Sequence, residues 1–315
     1  MLLRRGSLGF GNGFRVPRAA RDDFDKGHGR VRGLVVCRLD MQAEADAPLL
    51  ERARAGDRLA LENLLERHQA RIYRFGLKMC RDPEDAKDVL QDTLLGVARG
   101  VRDFRGGASL STWLYTIARS FCIKKRRKSK FAPAAEASLL DTDAAVIADP
   151  SSSADDALAS KQVERALEQA IVALEPKYRE VLLLRDVEGL TAPEVAQVTG
   201  ASVQAVKSRL HRARLAVRAR VAPLLDIPVD VPAAPGTCPD VLSLFSAHLE
   251  DQISAEVCAE MELHIAACAR CKTTCDSLKR TLQLCRASAP AAPVPESVQA
   301  SVRGAVRDFL STKEA

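Results

Sequence analysis

Apolar residues recur at helical spacing in three blocks of the chain, and between the blocks the pattern stops. In the first block Leu49, Leu50, Ala53, Leu61, Leu64, Leu65, Ile72 and Phe75 line up on one-sided faces, with Gly56-Asp57 as a break between two helices. Asp82-Pro83 starts a further helix, Asp82 as its cap and Pro83 at the first helical position, where the missing N–H costs nothing. Its buried stripe is Ala86, Val89, Leu90, Leu94 and Val97, and Leu110, Leu114, Ile117 and Phe121 form the stripe of the next helix. In the second block Thr191 and Glu194 are spaced as a capping box, Gly200 separates two helices and Ser202 caps the second. Two short helices joined by a glycine turn predict a helix-turn-helix. Period-two alternation is scarce and aromatics make up only 4% of the chain, so the expected class is all-α.

The interruptions set the expected domains. Residues 1–46 form an Arg- and Gly-rich extension without helical period. Met41 opens the first well-patterned stretch, so what precedes it reads either as sequence upstream of the true start or as a basic arm. A helical domain follows at 47–130, a flexible acidic linker at 131–160, the helix-turn-helix domain at 161–222 and a Pro-rich linker at 223–236. A small helical domain at 237–288 precedes a tail, 289–315, whose Val298, Val302, Val306, Phe309 and Leu310 predict a short amphipathic helix.

Charge adds direction to this layout. The net charge is +6, unevenly placed. Lys124 to Lys130 holds six basic residues in seven positions, directly after a helix that carries the single tryptophan, Trp113. Aromatic faces stack on bases taken out of a duplex while cations hold the phosphates, so this element suits melted DNA; the other reading is that Trp113 widens the apolar stripe and the basic run is a solvated helix end. From Ala201 to Arg220 there are six Lys or Arg and no acid, on a helix whose Gln204, Lys207, Ser208, His211, Arg212 and Arg214 are expected to point outward to bases and phosphates of a major groove. Asp85, Asp88 and Asp92 recur at i, i+3 and i+7 as an acidic ridge, which reads either as ordinary solubilising charge or as a docking strip for a basic protein partner.

Six of the nine cysteines lie beyond residue 237. His264-x-x-x-Cys268-x-x-Cys271 puts His and Cys on one helix face, with a second Cys from the next turn, which is a zinc-ligating pattern. Closing a tetrahedral shell takes a fourth ligand: Cys238 is the first choice and Cys275 the alternative. Cys258 and Cys285 read as buried apolar fillers. One bound Zn either staples a module too small to fold alone or senses redox state. No run approaches the length of a membrane helix and no apolar signal core opens the chain, so a cytoplasmic location is expected. No nucleophile–base constellation is present and a four-ligand shell leaves no open position, so no catalytic residues and no enzyme activity are expected. On the residues alone, a duplex-binding regulator with a metal-responsive tail stands as the alternative.

Three ordered stretches, DAKDVLQDT (Asp85–Thr93), FRGGASLSTWLYTIAR (Phe104–Arg119) and VLLLRDVEGLTAPEVAQVTGASVQAVKSRLHRAR (Val181–Arg214), resemble the extracytoplasmic-function RNA polymerase sigma factors. The resemblance covers about 47–222. It implies that Asp85, Asp88, Gln91 and Asp92 bind the clamp helices of core RNA polymerase. It implies that Trp113, Thr116, Arg119, Ser120, Lys124 and Arg127 melt and capture the minus-ten element of promoter DNA, and that Ser202, Gln204, Lys207, Ser208, His211 and Arg212 read the minus-thirty-five element beside the polymerase flap. The linker would run through the RNA path of the polymerase. Many relatives carry Asn where this chain has Ser120, so minus-ten preference does not transfer. The segment with Cys238, His264, Cys268 and Cys271 resembles the zinc-binding anti-sigma domain, LEDQIS (Leu249–Ser254) matching its acidic turn. Fused to its presumed target, it would contact and regulate the sigma domains in cis.

Overall fold

A computed structural model describes residues 45–129, 154–225, 238–288 and 294–312. The expectations for the N-terminal extension, most of the acidic linker and the Pro-rich linker fall outside the described residues. Among those described, every regular element is helical.

Residues 45–54 form α1, pinned to the next helix by the buried pair Asp46–His68 at 2.8 Å. Arg58–Cys80 (α2), Pro83–Gly100 (α3) and Leu110–Ser129 (α4) complete the first domain. Asp82 caps α3 as the sequence predicts, accepting from the Asp85 N–H, and Asp57, read only as part of a break, caps α2 by accepting from the Ala60 N–H. Such a side-chain cap contributes about 1 kcal/mol. Ile72, Phe75, Val89, Leu90, Leu94, Val97 and Leu114 are all at most 2% exposed and fill the space between these helices. Gly76 lies against Ala86, where a β-carbon would approach the α3 backbone to 3.2 Å, so α2 and α3 close in tightly here.

The second domain holds Ala154–Val172 (α5), Pro176–Leu182 (α6), Ala192–Thr199 (α7) and Val203–Val221 (α8). Helix α5 begins inside the stretch expected as linker, which shortens the span between the domains. Leu183–Val187 continues α6 as a π-helical turn. Thr191 and Glu194 form the complete capping box, and Gly200 ends α7 with φ at 69°, the left-handed conformation that glycine adopts at least cost.

These two domains pack directly on one another through three glutamates of the second. Glu188, 2% exposed at its side chain, accepts from Arg71 at 3.1 Å, from Arg74 at 2.8 Å and from the Tyr115 hydroxyl at 2.6 Å. Glu180 accepts from Arg119 at 2.9 Å, and Glu194 accepts from Ser109 at 2.7 Å and Thr112 at 3.2 Å. Arg179, 2% exposed, donates only to main-chain carbonyls, those of Lys78, Met79, Ile171, Val172 and Leu174. Burial and nearby Arg81 and Arg126 bring its guanidinium down to about 10.

Val241–His248 (α9), Ala255–Ala267 (α10) and Ala269–Ala287 (α11) form the third module, and Glu296–Thr312 (α12) follows. Phe245, Met261, Cys275, Leu278 and Leu282 make its small apolar core. Helix α11 lies along α8, while α12 packs on α3 with Val298, Val302 and Val306 buried and the Arg99 guanidinium 5.2 Å from the Phe309 ring. The tail therefore forms a docked helix.

Candidate nucleic-acid interface and metal centre

On α4 the side chains expected to meet single-stranded DNA divide into two groups. Thr116, Ser120, Lys124 and Arg127 are exposed along one stripe. Both hydroxyls bond back to the helix, Thr116 to the Thr112 carbonyl and Ser120 to the Ile117 carbonyl, each at 2.7 Å. Trp113 is half-buried: its ring stacks on Phe104 at 4.8 Å, with Gly100 leaving it room. Arg119 is held by Glu180. Trp113 and Arg119 are thus occupied within the chain, while the polar stripe beside them faces water.

The acidic ridge on α3 has a partner of its own. Lys125, from the basic run of α4, lies 3.1 Å from Asp85 and also bonds Asp88. These hydrogen bonds outweigh the burial of Lys125 and raise its ammonium above the ordinary value. Asp88 and Asp92 are exposed and Asp85 and Gln91 half-buried. At 3.6 residues per turn, Arg99 falls within about 20° of both Asp88 and Asp92 around α3. Phe309 of α12 therefore covers the end of the ridge's own stripe.

The recognition helix of the helix-turn-helix, α8, is engaged along one flank by the third module. The Lys207 ammonium donates to the Glu250 carbonyl at 2.5 Å, Gln252 donates to Gln204 at 3.4 Å, and His211 Nε2 lies 3.4 Å from the Ser243 hydroxyl. Arg218 adds a 2.5 Å bond to Ser277. Ser208 and Arg212 remain exposed, Arg212 reaching Tyr178 Oη at 3.3 Å, and Ser202 spends its hydroxyl on the Ala205 N–H as the helix cap.

Arg214 contradicts the outward placement expected for it. Its side chain is 1% exposed, paired with Asp186 at 2.8 Å and Glu250 at 2.6 Å. Burial alone would raise the Asp186 carboxyl, but Arg214 outweighs it and holds that group below the ordinary value. Arg185 completes this network, donating to the Glu250 carboxylate at 3.2 Å and the Leu249 carbonyl at 3.3 Å. Arg185 escaped the sequence reading because it precedes the helix-turn-helix; the only clue was the acid of LEDQIS.

At the other side of the third module Cys238, His264, Cys268 and Cys271 converge, their ligating atoms all within 4.8 Å of one another. The Cys238 and Cys268 sulfurs are 3.9 Å apart, close to the edge of about 3.8 Å for a tetrahedron with zinc–sulfur bonds of about 2.3 Å. His264 Nε2 lies 3.2 Å from the Cys271 sulfur. Burial, with Cys238 and Cys268 alongside, pushes the Cys271 thiol up to about 12; a metal ligand must be the deprotonated thiolate, whose charge a bound cation would offset. The donors present fit zinc. Cys275, fully buried in the apolar core, is not among them, and Cys285 is fully buried as expected. Cys258 is half-buried rather than buried: it packs at the edge of the apolar core, where α10 faces the end of α9, with its sulfur 3.3 Å from His248 Nδ1.

Comparison with known proteins agrees with this architecture. Sigma-70 region 2 matches residues 64–131, Sigma-70 region 4 matches 164–217, and a zinc-finger family matches 238–272. The ECF RNA polymerase sigma factor SigM of Mycobacterium tuberculosis is 33% identical over 58% of this chain and 85% of its own length. The RNA polymerase sigma-H factor of Pseudomonas aeruginosa is 30% identical over 58% of this chain and 96% of its own. The solved structure of CnrH in complex with the cytosolic domain of CnrY aligns at 24% identity and a TM-score of 0.42, covering 57% of this chain and 98% of that one. The chain belongs to the extracytoplasmic-function RNA polymerase sigma factors, with a zinc-finger module fused behind region 4. The reading as a duplex-binding regulator independent of polymerase is not favoured.

Proposed function

We propose that this sigma factor docks on the clamp helices of core RNA polymerase through the α3 ridge of Asp85, Asp88, Gln91 and Asp92. Region 2 then captures the minus-ten strand with Trp113, Thr116, Arg119, Ser120, Lys124 and Arg127. Region 4 reads the minus-thirty-five element with Ser202, Gln204, Lys207, Ser208, His211 and Arg212, beside the flap. Zinc, when bound by Cys238, His264, Cys268 and Cys271, supplies the cross-link that a module with so few apolar residues needs in order to fold. The fused module restrains the factor in cis: α9 to α11 cover a flank of α8, and α12 covers part of α3. Tethering makes weak contacts sufficient, because the local concentration of a linked module is high. The factor works in the cytoplasm and carries out no catalysis itself.

The observation that supports the restraint is the bonding of Gln204, Lys207 and His211 to the zinc module. The test of the sigma role is initiation by core polymerase on a supercoiled promoter library when the purified chain is added. Defined start sites that depend on the chain are expected, and none, either with the full chain or with one ending near Asp226, would overturn the assignment.

A further inference from the structure

The contact between the zinc module and region 4 has an unusual chemistry. One tight turn brings four oxygens, the two of the Glu250 carboxylate and the carbonyls of Leu249 and Glu250, onto Arg185, Lys207 and Arg214. Glu250 is 2% exposed at its side chain, so its charge is held by these cations rather than by water. Beside it, Arg214 Nη1 is buried with no hydrogen-bond partner among the described residues, on a guanidinium 1% exposed. A planar carboxylate leaves that N–H unused, whereas a phosphodiester offers anionic oxygens in a tetrahedral spread.

We infer that Arg185, Lys207 and Arg214 form a notch for a backbone phosphate of duplex DNA, and that the Leu249–Gln252 turn occupies it as a phosphate mimic. This rests on the reading that the zinc module restrains region 4 in cis. It adds Arg185 to the DNA-contacting side chains and makes Glu250 the group that DNA must displace. Lys207 and Gln204 lie on the same flank, so a phosphate in the notch sits beside the side chains assigned to base reading.

A phosphate contact is blind to sequence, so a short random-sequence duplex serves as probe, titrated against the full-length, zinc-loaded chain over a range of salt. Glu250→Ala removes the carboxylate and leaves the Leu249 and Glu250 carbonyls on Arg185 and Lys207, while Asp186 continues to pair Arg214; Glu250→Gln, which keeps the volume, is the companion variant, with zinc content confirming the fold of both. Either variant is expected to bind the duplex at least about tenfold more tightly than the parent chain. Adding Arg185→Gln to Glu250→Ala is expected to weaken binding and to flatten the salt dependence by about 0.9 in log K against log salt, the value of one phosphate. Arg220→Gln on the same background is the control for an exposed arginine outside the notch. Tighter binding by the Glu250 variants with a salt slope that Arg185→Gln changes no more than Arg220→Gln does would overturn the notch and leave cis restraint standing. Unchanged binding by both Glu250 variants would overturn the mimic; the restraint itself is read from a chain ending near Asp226, whose duplex binding equal to that of the parent would overturn it.

Discussion

Helices α4 and α8 carry matching equipment, a polar stripe ending in arginines and lysines, yet they sit in opposite situations. The exposed stripe of α4, Thr116 to Arg127, makes no bond to another domain among the described residues, whereas on α8 the flank of Gln204, Lys207 and His211 is bonded to the zinc module. What is withheld on α4 is held by region 4 instead: Arg119 by Glu180, and the Ser109 and Thr112 hydroxyls by Glu194. Under the proposed restraint in cis, the difference amounts to two separate locks. One is the zinc module on the duplex-reading surface; the other is region 4 on region 2.

The first lock depends on the metal, and its removal should have the largest effect. Structural zinc contributes about 10–16 kcal/mol of apparent binding energy that is also folding energy. Stripping it, or Cys271→Ser, is expected to unfold α9 to α11 and to raise amide hydrogen exchange along α8. Exchange in α8 that stays at the parent rate would show that the module does not cover it.

The second lock should respond to Glu188. Glu188→Ala leaves Arg71 and Arg74 facing each other without their shared acid, at a cost of about 3–5 kcal/mol to the contact between the two domains. Burial, with Glu188 next to it, holds the Tyr115 hydroxyl well above the ordinary tyrosine range. The variant should bring its ionisation back toward that range, read by ultraviolet absorbance against pH, while a spin-label distance between the domains lengthens. A Tyr115 that titrates as before would contradict the latch.

Much of this was legible in the chain and some was not. Cap, capping box, glycine turn and the His264-to-Cys271 run are local, written within a few residues, and Asp82, Thr191 and Cys268 occupy the places their spacing predicts, with Cys238 joining from farther off. The lock between the sigma domains joins residues more than sixty positions apart, such as Arg74 and Glu188, and no periodicity encodes such a pairing. Arg214 misled because a helical wheel separates polar from apolar positions but cannot tell a side chain bound for water from one bound for a buried acid. Cys258 looked like filler for the same reason, since polarity alone does not reveal that α10 turns it toward His248.

The contrast between the two helices can be sharpened further. In the intact chain the double change Lys124→Glu and Arg127→Glu should reduce single-strand binding and flatten its salt slope by about 1.4, two contacts' worth. Lys207→Glu in the same chain should change duplex binding little, because that ammonium is already spent on Glu250. If Lys207→Glu proves the more damaging of the two, α8 is open and the comparison fails.

The smallest effect comes from acid. Burial would raise the Glu194 carboxyl, but bonds from Ser109, Thr191 and Thr112 hold it below its ordinary value of 4.5. A depressed carboxyl contributes stability above that value and loses it as pH falls through it. The contact between regions 2 and 4 should therefore loosen on acidification below about pH 4.5, by an amount Glu194→Gln abolishes, as followed by the same spin-label distance.

The central claim is that a sigma factor carries its own restraint behind region 4. Its most direct test is promoter-specific transcription by core polymerase with the full zinc-loaded chain and with a chain ending near Asp226, at equal concentration. The account predicts clearly more transcript from the shortened chain, and equal transcript from the two, with zinc bound in the first, would contradict it.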